Sequence, residues 1–326
     1  MKYLPIILFF AIVMNTVFLN GASASDVDIK PIEDFIEFMK LCETAPAEMR
    51  YALWHKHYYE PNADALQKMV FKTADEAKIK KSMLKALDNI FANYRLHYET
   101  LVEFKRNFSN ILAGAEKDFK KYFPEAAFDD ISFHAFVGNQ SFNARADMVD
   151  GAMTFEIAAE MFDGADGVRL TLMHELFHLY HMKCFEKAGN KIEERLYFPL
   201  IFEGCAVYFS LLSTGREIED GMRMGLPGYL KLFDETNFRK KCEKTFIKSA
   251  ESLLENMDVP VTEETYKNFF GTRIDNTDEP CRIGYYIGFK LIDGIAAEIP
   301  LEKIANMNKK EIIRLCRTRL SGMIRK

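Results

Sequence analysis

Much is scarce or missing in this chain of 326 residues, and each absence narrows what the chain can be. No internal repeat runs through it, which excludes a solenoid or propeller. No low-complexity segment and no Pro/Ser-rich linker divides it, so one folded unit with helical flanks is the economical reading. No CxxC occurs, hence no redox motif. Neither sign of charge dominates: 43 basic residues stand against 48 acidic ones, which argues against nucleic acid as a partner. The runs Lys78-Ile79-Lys80-Lys81 and Arg239-Lys240-Lys241 read as solvated helix faces. Histidine is scarce too, at 7 residues. What is plentiful is apolar side chain, 48% of the total, enough for a sizeable core.

The N-terminus sets the expected compartment. Lys2 precedes a charge-free stretch from Tyr3 to Ser25, apolar through Leu19, and Ala22-Ser23-Ala24 has the small-x-small pattern of a cleavage site. A signal peptide over 1–24, cleaved after Ala24, implies a secreted or periplasmic protein. The apolar core is short for a membrane anchor, and no later segment reads as a bilayer span. No Cys stands near the cleavage site, which argues against a lipoprotein. All six cysteines (Cys42, Cys184, Cys205, Cys242, Cys281 and Cys316) fall in the mature chain, where an oxidising compartment permits disulfides without requiring them. A Cys184–Cys205 bridge or buried free thiols are both open.

The scarce histidines make one pattern stand out: His174-Glu175-Leu176-Phe177-His178, an HExxH pentad. At this composition, chance supplies such a pentad in roughly one chain in a hundred. The flanks Val168–Met173 and Leu179–Phe185 are apolar and lack Gly and Pro, so the pentad sits on a buried helix, with Asp166-Gly167 as its expected N-cap. Residues four apart lie one above the other on a helix, so His174 and His178 can each offer a ring nitrogen to one metal ion. Glu175 beside them can reach water held there. Burying these groups without partners would cost several kcal/mol, a cost that a metal removes.

A catalytic zinc needs a third protein ligand and an open position. Glu203 is the one charge in Phe198–Leu212, an apolar run that begins near Pro199 and stops at Gly215 as a helix would. An isolated carboxylate in such a helix is expected to be paired or metal-bound. Gly204 beside it would let this helix pack closely on another. The spacing from His178 leaves room for the chain to turn back and lay the second helix on the first. The metzincin alternative would need a helix-breaking Gly where His181 stands and a ligand where Cys184 stands; that Gly is missing, and on an intact helix Cys184 lies about 9 Å along the axis from His178. His181 is expected to support the ligands or to face solvent. His55 and His57 read as a solvated stretch, and His97 and His134 have no ligand spacing.

The segments HELFH, FEGCAVY and Gly284-Tyr285-Tyr286-Ile287-Gly288-Phe289 together resemble bacterial families of uncharacterised domains assigned to gluzincin-type zinc-dependent peptidases. The resemblance covers roughly 125–295 and is specific at the first two segments. It implies a zincin-like α+β fold, zinc ligands His174, His178 and Glu203, and Glu175 as general base. Thermolysin-like gluzincins carry an Asp four residues after the ligand Glu to orient a histidine. Here that position is Val207, which leaves the histidines' supporting partner unassigned.

The chemistry expected of such a site is peptide hydrolysis by activated water, with Glu175 taking the proton and passing it to the departing amine. An oxyanion would need a hydrogen-bond donor. Tyr285 is the leading candidate, with Tyr286 and Arg282 as alternatives, although Gly284 and Gly288 equally mark a helix-packing face around these tyrosines. A non-catalytic binding protein on the same scaffold, or a zinc hydrolase of a non-peptide substrate, are the competing functions; intact Glu175 favours an enzyme.

The predicted architecture is α+β and mainly helical, with a small sheet just before the HExxH helix. Strands are expected over Ile131–Val137 and Met153–Met161, the latter after a turn at Asp150-Gly151. A plain structural strand is the default reading of the second, with the edge strand to which an extended peptide adds as the alternative, and Gly138–Ser141 is expected as a loop near the cleft. Helices are expected over 31–122, broken at Pro46 and Pro61 and continuous from about Asp75 to Tyr122, then over Pro227–Asn256, Glu263–Phe270, Arg282–Glu298 and Lys309–Leu320. The expected organisation is a helical region over 25–124 and a catalytic region over 125–326.

Overall fold

The computed structural model describes residues 27–325 apart from 141, 151, 163, 192, 194, 218–234 and 272–281. The leader expected over 1–24, Cys281 and the start of the helix expected at Pro227 lie outside the described residues.

Helices dominate, with one small mixed sheet. The chain opens on a short strand, β1 (Val27–Asp28), and enters α1 (Lys30–Cys42) with Pro31 in its first turn, where the missing N–H costs nothing. Residues 47–71 wind through short α, 3-10 and π turns around Trp54, Tyr58 and Tyr59, all buried. Asp75 then caps α2 (Glu76–Ala92), accepting from the amides of Ala77 and Lys78. The single helix expected from Asp75 to Tyr122 is two: Asn93, at φ −125° and ψ 39°, separates α2 from α3 (Tyr94–Tyr122).

The sheet has the order β1-β2-β4-β3, with β2 Ser132–Phe136, β3 Ala144–Val149 and β4 Ala152–Ala158. β2 runs parallel to both β1 and β4, while β3 and β4 form an antiparallel hairpin turned at Asp150, whose φ is 50°. Met153–Ala158 is therefore an interior strand, paired on both sides: it is a plain structural strand and not the substrate edge. The edges are β1 and β3.

α4 (Ala165–Lys187) carries the pentad and begins two residues earlier than Asp166-Gly167 suggests: its N-cap is Gly164, and Asp166 lies inside the first turn, paired with Arg216. α5 (Tyr197–Thr214) ends at Gly215 in the left-handed conformation, φ 66°. By length and apolarity α5 could cross a membrane, against the expectation from sequence, but 67% of it is buried within the fold, as a core helix must be. α6 (Glu235–Asn256), α7 (Glu263–Phe269), α8 (Ile283–Ala296) and α9 (Lys309–Ile324) complete the chain.

α5 packs against both α4 and α8, and α3 packs on α4 and reaches Phe209 of α5 through Phe119 and Tyr122. One hydrophobic core runs continuously from Ile32 to Leu320, joining the helices before the sheet to those after it. The α5–α8 crossing is set by two glycines: a Cβ on Gly204 would come within 2.6 Å of the Gly288 backbone, and one on Gly288 within 2.6 Å of the Leu200 carbonyl oxygen. Only hydrogen in place of a side chain permits that approach.

Candidate metal centre

α4 is buried on nearly every face, so its polar residues must find partners inside the protein. His174 and Glu175 are 6% and 8% exposed. One helical turn stacks His174 and His178 edge to face, ring centroids 4.6 Å apart, and brings their Nε2 atoms to 3.0 Å. α5 delivers Glu203 from the neighbouring helix. Its Oε2 lies 3.2 Å from His174 Nε2 and 3.3 Å from His178 Nε2.

Three ligand atoms thus form a near-equilateral triangle. A tetrahedral ion with bonds of about 2.0–2.1 Å would hold its ligands about 3.3 Å apart, so the residues fit a small divalent metal with little adjustment. Among the described residues this trio is the group of metal-ligating side chains able to hold an ion. Two imidazoles and one carboxylate also leave a position open in a four-coordinate site, the pattern of catalytic rather than structural zinc.

The electrostatics agree with an anionic third ligand. Burial alone would push the Glu203 carboxyl up, but the charges and hydrogen bonds of His178 and His174 outweigh it and hold the group well below the usual carboxylate range. For His178, burial pulls down while Glu203, then Glu175, more than restores it, so its pKa is raised.

Next to this trio stands a second polar group that couples to it. Tyr285 is 7% exposed. Burial first, then the Glu203 charge, pushes its phenol up to about 12, against the pull of Arg282 and a hydrogen bond from Tyr266. The Arg282 guanidinium lies 4.1 Å over the Tyr285 ring. Tyr286 points elsewhere: its ring meets Phe246 of α6 at 6.3 Å and Lys290 at 5.7 Å. Of the two tyrosines weighed as oxyanion donors, Tyr285 is the one beside Glu203. Tyr266, on α7, was not singled out from sequence; in Glu-Glu-Thr-Tyr-Lys-Asn-Phe nothing local marks it, and only the fold brings it to Tyr285.

Other expectations resolve individually. His181 does not face solvent. It is 2% exposed, stacks on Phe202 with ring centroids 4.0 Å apart, and is driven down to about 3 by burial and then by His178. The α4 helix continues unbroken through Lys187, which leaves Cys184 a full turn and more beyond the ligands. Cys184 and Cys205 are free and buried, as are Cys42 and Cys316, so the bridge between the ligand helices is not made. Val207 is fully buried, and His174 Nδ1 has no hydrogen-bond partner among the described residues, so no carboxylate there orients the ring from its Nδ1 side. His55 is not simply solvated: it contacts Glu60 at 3.1 Å and Glu76 at 3.6 Å. His97 is buried on α3, and His134 lies 3.4 Å from Asp28 across β1 and β2.

No family model, curated protein or solved structure matches this chain.

Proposed function

We propose that the protein is an exported zinc-dependent metallopeptidase with a gluzincin-type ligand set on a zincin-like α+β fold. The observation that carries this reading is the triangle of His174 Nε2, His178 Nε2 and Glu203 Oε2, with sides of 3.0, 3.2 and 3.3 Å, directly beside Glu175. Two imidazole nitrogens with one carboxylate oxygen suit zinc better than magnesium or calcium, which favour all-oxygen sites.

His174, His178 and Glu203 would hold the ion, and the ionised state of Glu203 spares it any proton to displace. Zinc, when bound, supplies Lewis acidity that acidifies water and polarises a substrate carbonyl. Glu175 accepts the proton of the attacking water and returns it to the departing amine, the two halves of general acid–base catalysis by one carboxylate. Tyr285, which feels the Glu203 charge, would donate to the developing oxyanion, with Arg282 as the alternative donor. β3 packs against α4 and is an edge of the sheet, so its outer backbone can pair with an extended peptide. A peptide or protein substrate suits such an edge.

The test is metal analysis of mature wild type, Glu175→Gln and Glu203→Ala, with hydrolysis of a mixed peptide library. One zinc per chain is expected in wild type and Glu175→Gln, with hydrolysis lost in the latter, and depleted zinc in Glu203→Ala. Full zinc occupancy in Glu203→Ala would refute its role as ligand. A library left intact by zinc-loaded wild type would refute peptidase activity and leave a zinc hydrolase of another substrate, or a binding protein.

A further inference from the structure

The ladder between β3 and β4 decides which backbone groups β3 leaves open. Ala158 N donates to Asn143 O at 2.7 Å, and Asn143 stands opposite Ala158 once the Ala144–Ile157 register is carried one residue further. Hydrogen-bonded and non-hydrogen-bonded pairs alternate along an antiparallel ladder. Arg145 and Asp147 therefore spend their backbone groups on β4, at Glu156 and Thr154, while Ala144, Ala146 and Met148 turn theirs to the outer side. Among the described residues no strand pairs there. A peptide laid antiparallel along β3 would bond to those outward groups. Its residue opposite Arg145 would then fall in a non-hydrogen-bonded pair, where facing side chains stand closest, on the same face as Arg145.

The charges on that face are layered by depth. Side-chain exposure is 0% for Glu156, 5% for Asp147, 11% for Lys72 and 21% for Arg145. The two anions lie beneath and the guanidinium lies outermost, so a cluster without net charge turns its positive end to solvent. Both carboxylate contacts of Arg145 are made through Nε, at 2.7 Å to Glu156 and 4.0 Å to Asp147. The Phe142 ring backs the guanidinium at 4.2 Å. Nη2 is shielded from solvent and has no hydrogen-bond partner among the described residues. A donor deprived of both water and protein costs free energy, which an acceptor arriving on a bound strand would recover. A planar fork pinned at Nε and stacked on an aromatic ring is preorganised for a carboxylate.

We propose that Arg145 sets the specificity of the β3 edge by pairing with an acidic side chain, Asp or Glu, on the peptide bound there. This rests on the peptidase reading for cleavage, though not for binding. The two neighbouring peptide residues point to the other face, where Ala144 and Ala146 offer only methyl groups. The residue two further on faces Asp147, which is buried and already paired with Lys72. The acidic preference is therefore confined to the single position opposite Arg145.

The test uses a random peptide library blocked at both termini, so that side chains are the sole carboxylates. Zinc-loaded Glu175→Gln protein, immobilised, should retain peptides enriched in Asp or Glu at one position. Replacing that residue by Asn or Gln in a retained peptide should weaken binding about 10- to 100-fold. Arg145→Lys in the same background keeps a cation for Glu156 but not the fork, and losing one of two charged hydrogen bonds should cut the acid-to-amide ratio about tenfold. Phe142→Leu, which leaves every ion pair in place, covers the case in which Arg145→Lys does not fold; it should cut the ratio about 2- to 5-fold. Equal retention of acid and amide peptides overturns the proposal, as does a preference that neither variant changes. The same peptides offered to zinc-loaded wild type separate the two readings. Acidic peptides bound but left uncleaved overturn the peptidase reading alone, and cleavage without acidic preference overturns the role of Arg145 alone.

Discussion

On one face of the β3–β4 hairpin, the buried carboxylates of Asp147 and Glu156 are matched by cations. Lys72 lies 2.5 Å from Asp147 and 3.5 Å from Glu156, and Arg145 lies 2.7 Å from Glu156, its partner across the strands. At the α4–α5 packing, by contrast, Glu203 meets two imidazoles, with Glu175 close by. The first cluster neutralises itself, two cations against two anions. The second concentrates lone pairs on one point, and a cation from outside the chain completes it. A third arrangement separates the two: Glu160, 3% exposed, accepts from the amides of Gly138 and Gln140 with one oxygen and has no partner for the other. With neither a cation nor a metal geometry, it meets burial by holding its proton, and its pKa is pushed up to about 7. Paired, convergent and protonated are three ways to keep a carboxylate inside a protein, and of these only the convergent one is a ligand site.

The sharpest contrast comes from removing a single charge in each cluster. Glu175→Gln should reduce kcat/KM by about two to four orders of magnitude while leaving zinc content and the denaturant midpoint of the chelated protein unchanged, because Glu175 is not part of a closed ion-pair network. Steady-state kinetics beside urea unfolding would separate the two effects, and a large stability change would move Glu175 into the structural class. Lys72→Met should behave oppositely. Two buried carboxylates would be left to one guanidinium, at a cost of about 3–5 kcal/mol, with zinc content retained by whatever fraction remains folded. Stability within error of wild type would show that the hairpin cluster does not depend on its cation.

The same contrast explains what could be read from the sequence. A metal centre leaves local traces: two histidines at helical spacing, and a lone Glu203 in an apolar helix with Gly204 beside it. Gly284 and Gly288 likewise announced a close helix face. The paired cluster leaves none, because Arg145 and Asp147 look like exposed residues until Lys72 and Glu156 arrive from elsewhere. β3 therefore carries no strand signal of its own, and nothing local in β4 shows that it is paired on both sides. Asn93 was equally silent, since the apolar pattern continues through it from α2 into α3. Tyr266 depends on a contact between helices with no signal at either end alone.

Glu160 offers a pH handle on the protonated class. Its pKa is raised on folding, from 4.5 to about 7, so the native state holds the proton more tightly than the unfolded chain does. Its contribution to stability is therefore complete below pH 4.5 and is lost as pH rises to about 7. Over that window the loss is about 3 kcal/mol. Glu160→Gln keeps an oxygen to accept from Gly138 and Gln140 but cannot ionise, so its stability relative to wild type should climb by that amount between the two pH values, measured by urea unfolding in chelator. A difference independent of pH would mean that Glu160 is ionised in the fold and is compensated by some partner after all.

The smallest effect tests whether the convergent cluster depends on the α5–α8 contact or only on α4–α5. An alanine Cβ at Gly204 meets backbone atoms of Gly288, which no rotamer change relieves, so the helices must separate. Overpacking of this kind costs about 1–3 kcal/mol, partly offset by the gain in helix propensity of up to about 1 kcal/mol. Since His174, His178 and Glu203 all lie on α4 and α5, zinc should be retained in Gly204→Ala while kcat falls through displacement of Tyr285 on α8. Gly294 is the control on that helix: a Cβ there meets nothing within 4 Å, so Gly294→Ala should stabilise by about 0.5–1 kcal/mol and leave kcat alone. Loss of zinc from Gly204→Ala would instead make α8 part of the scaffold that holds the ligands, and the metal centre would then be a three-helix construction.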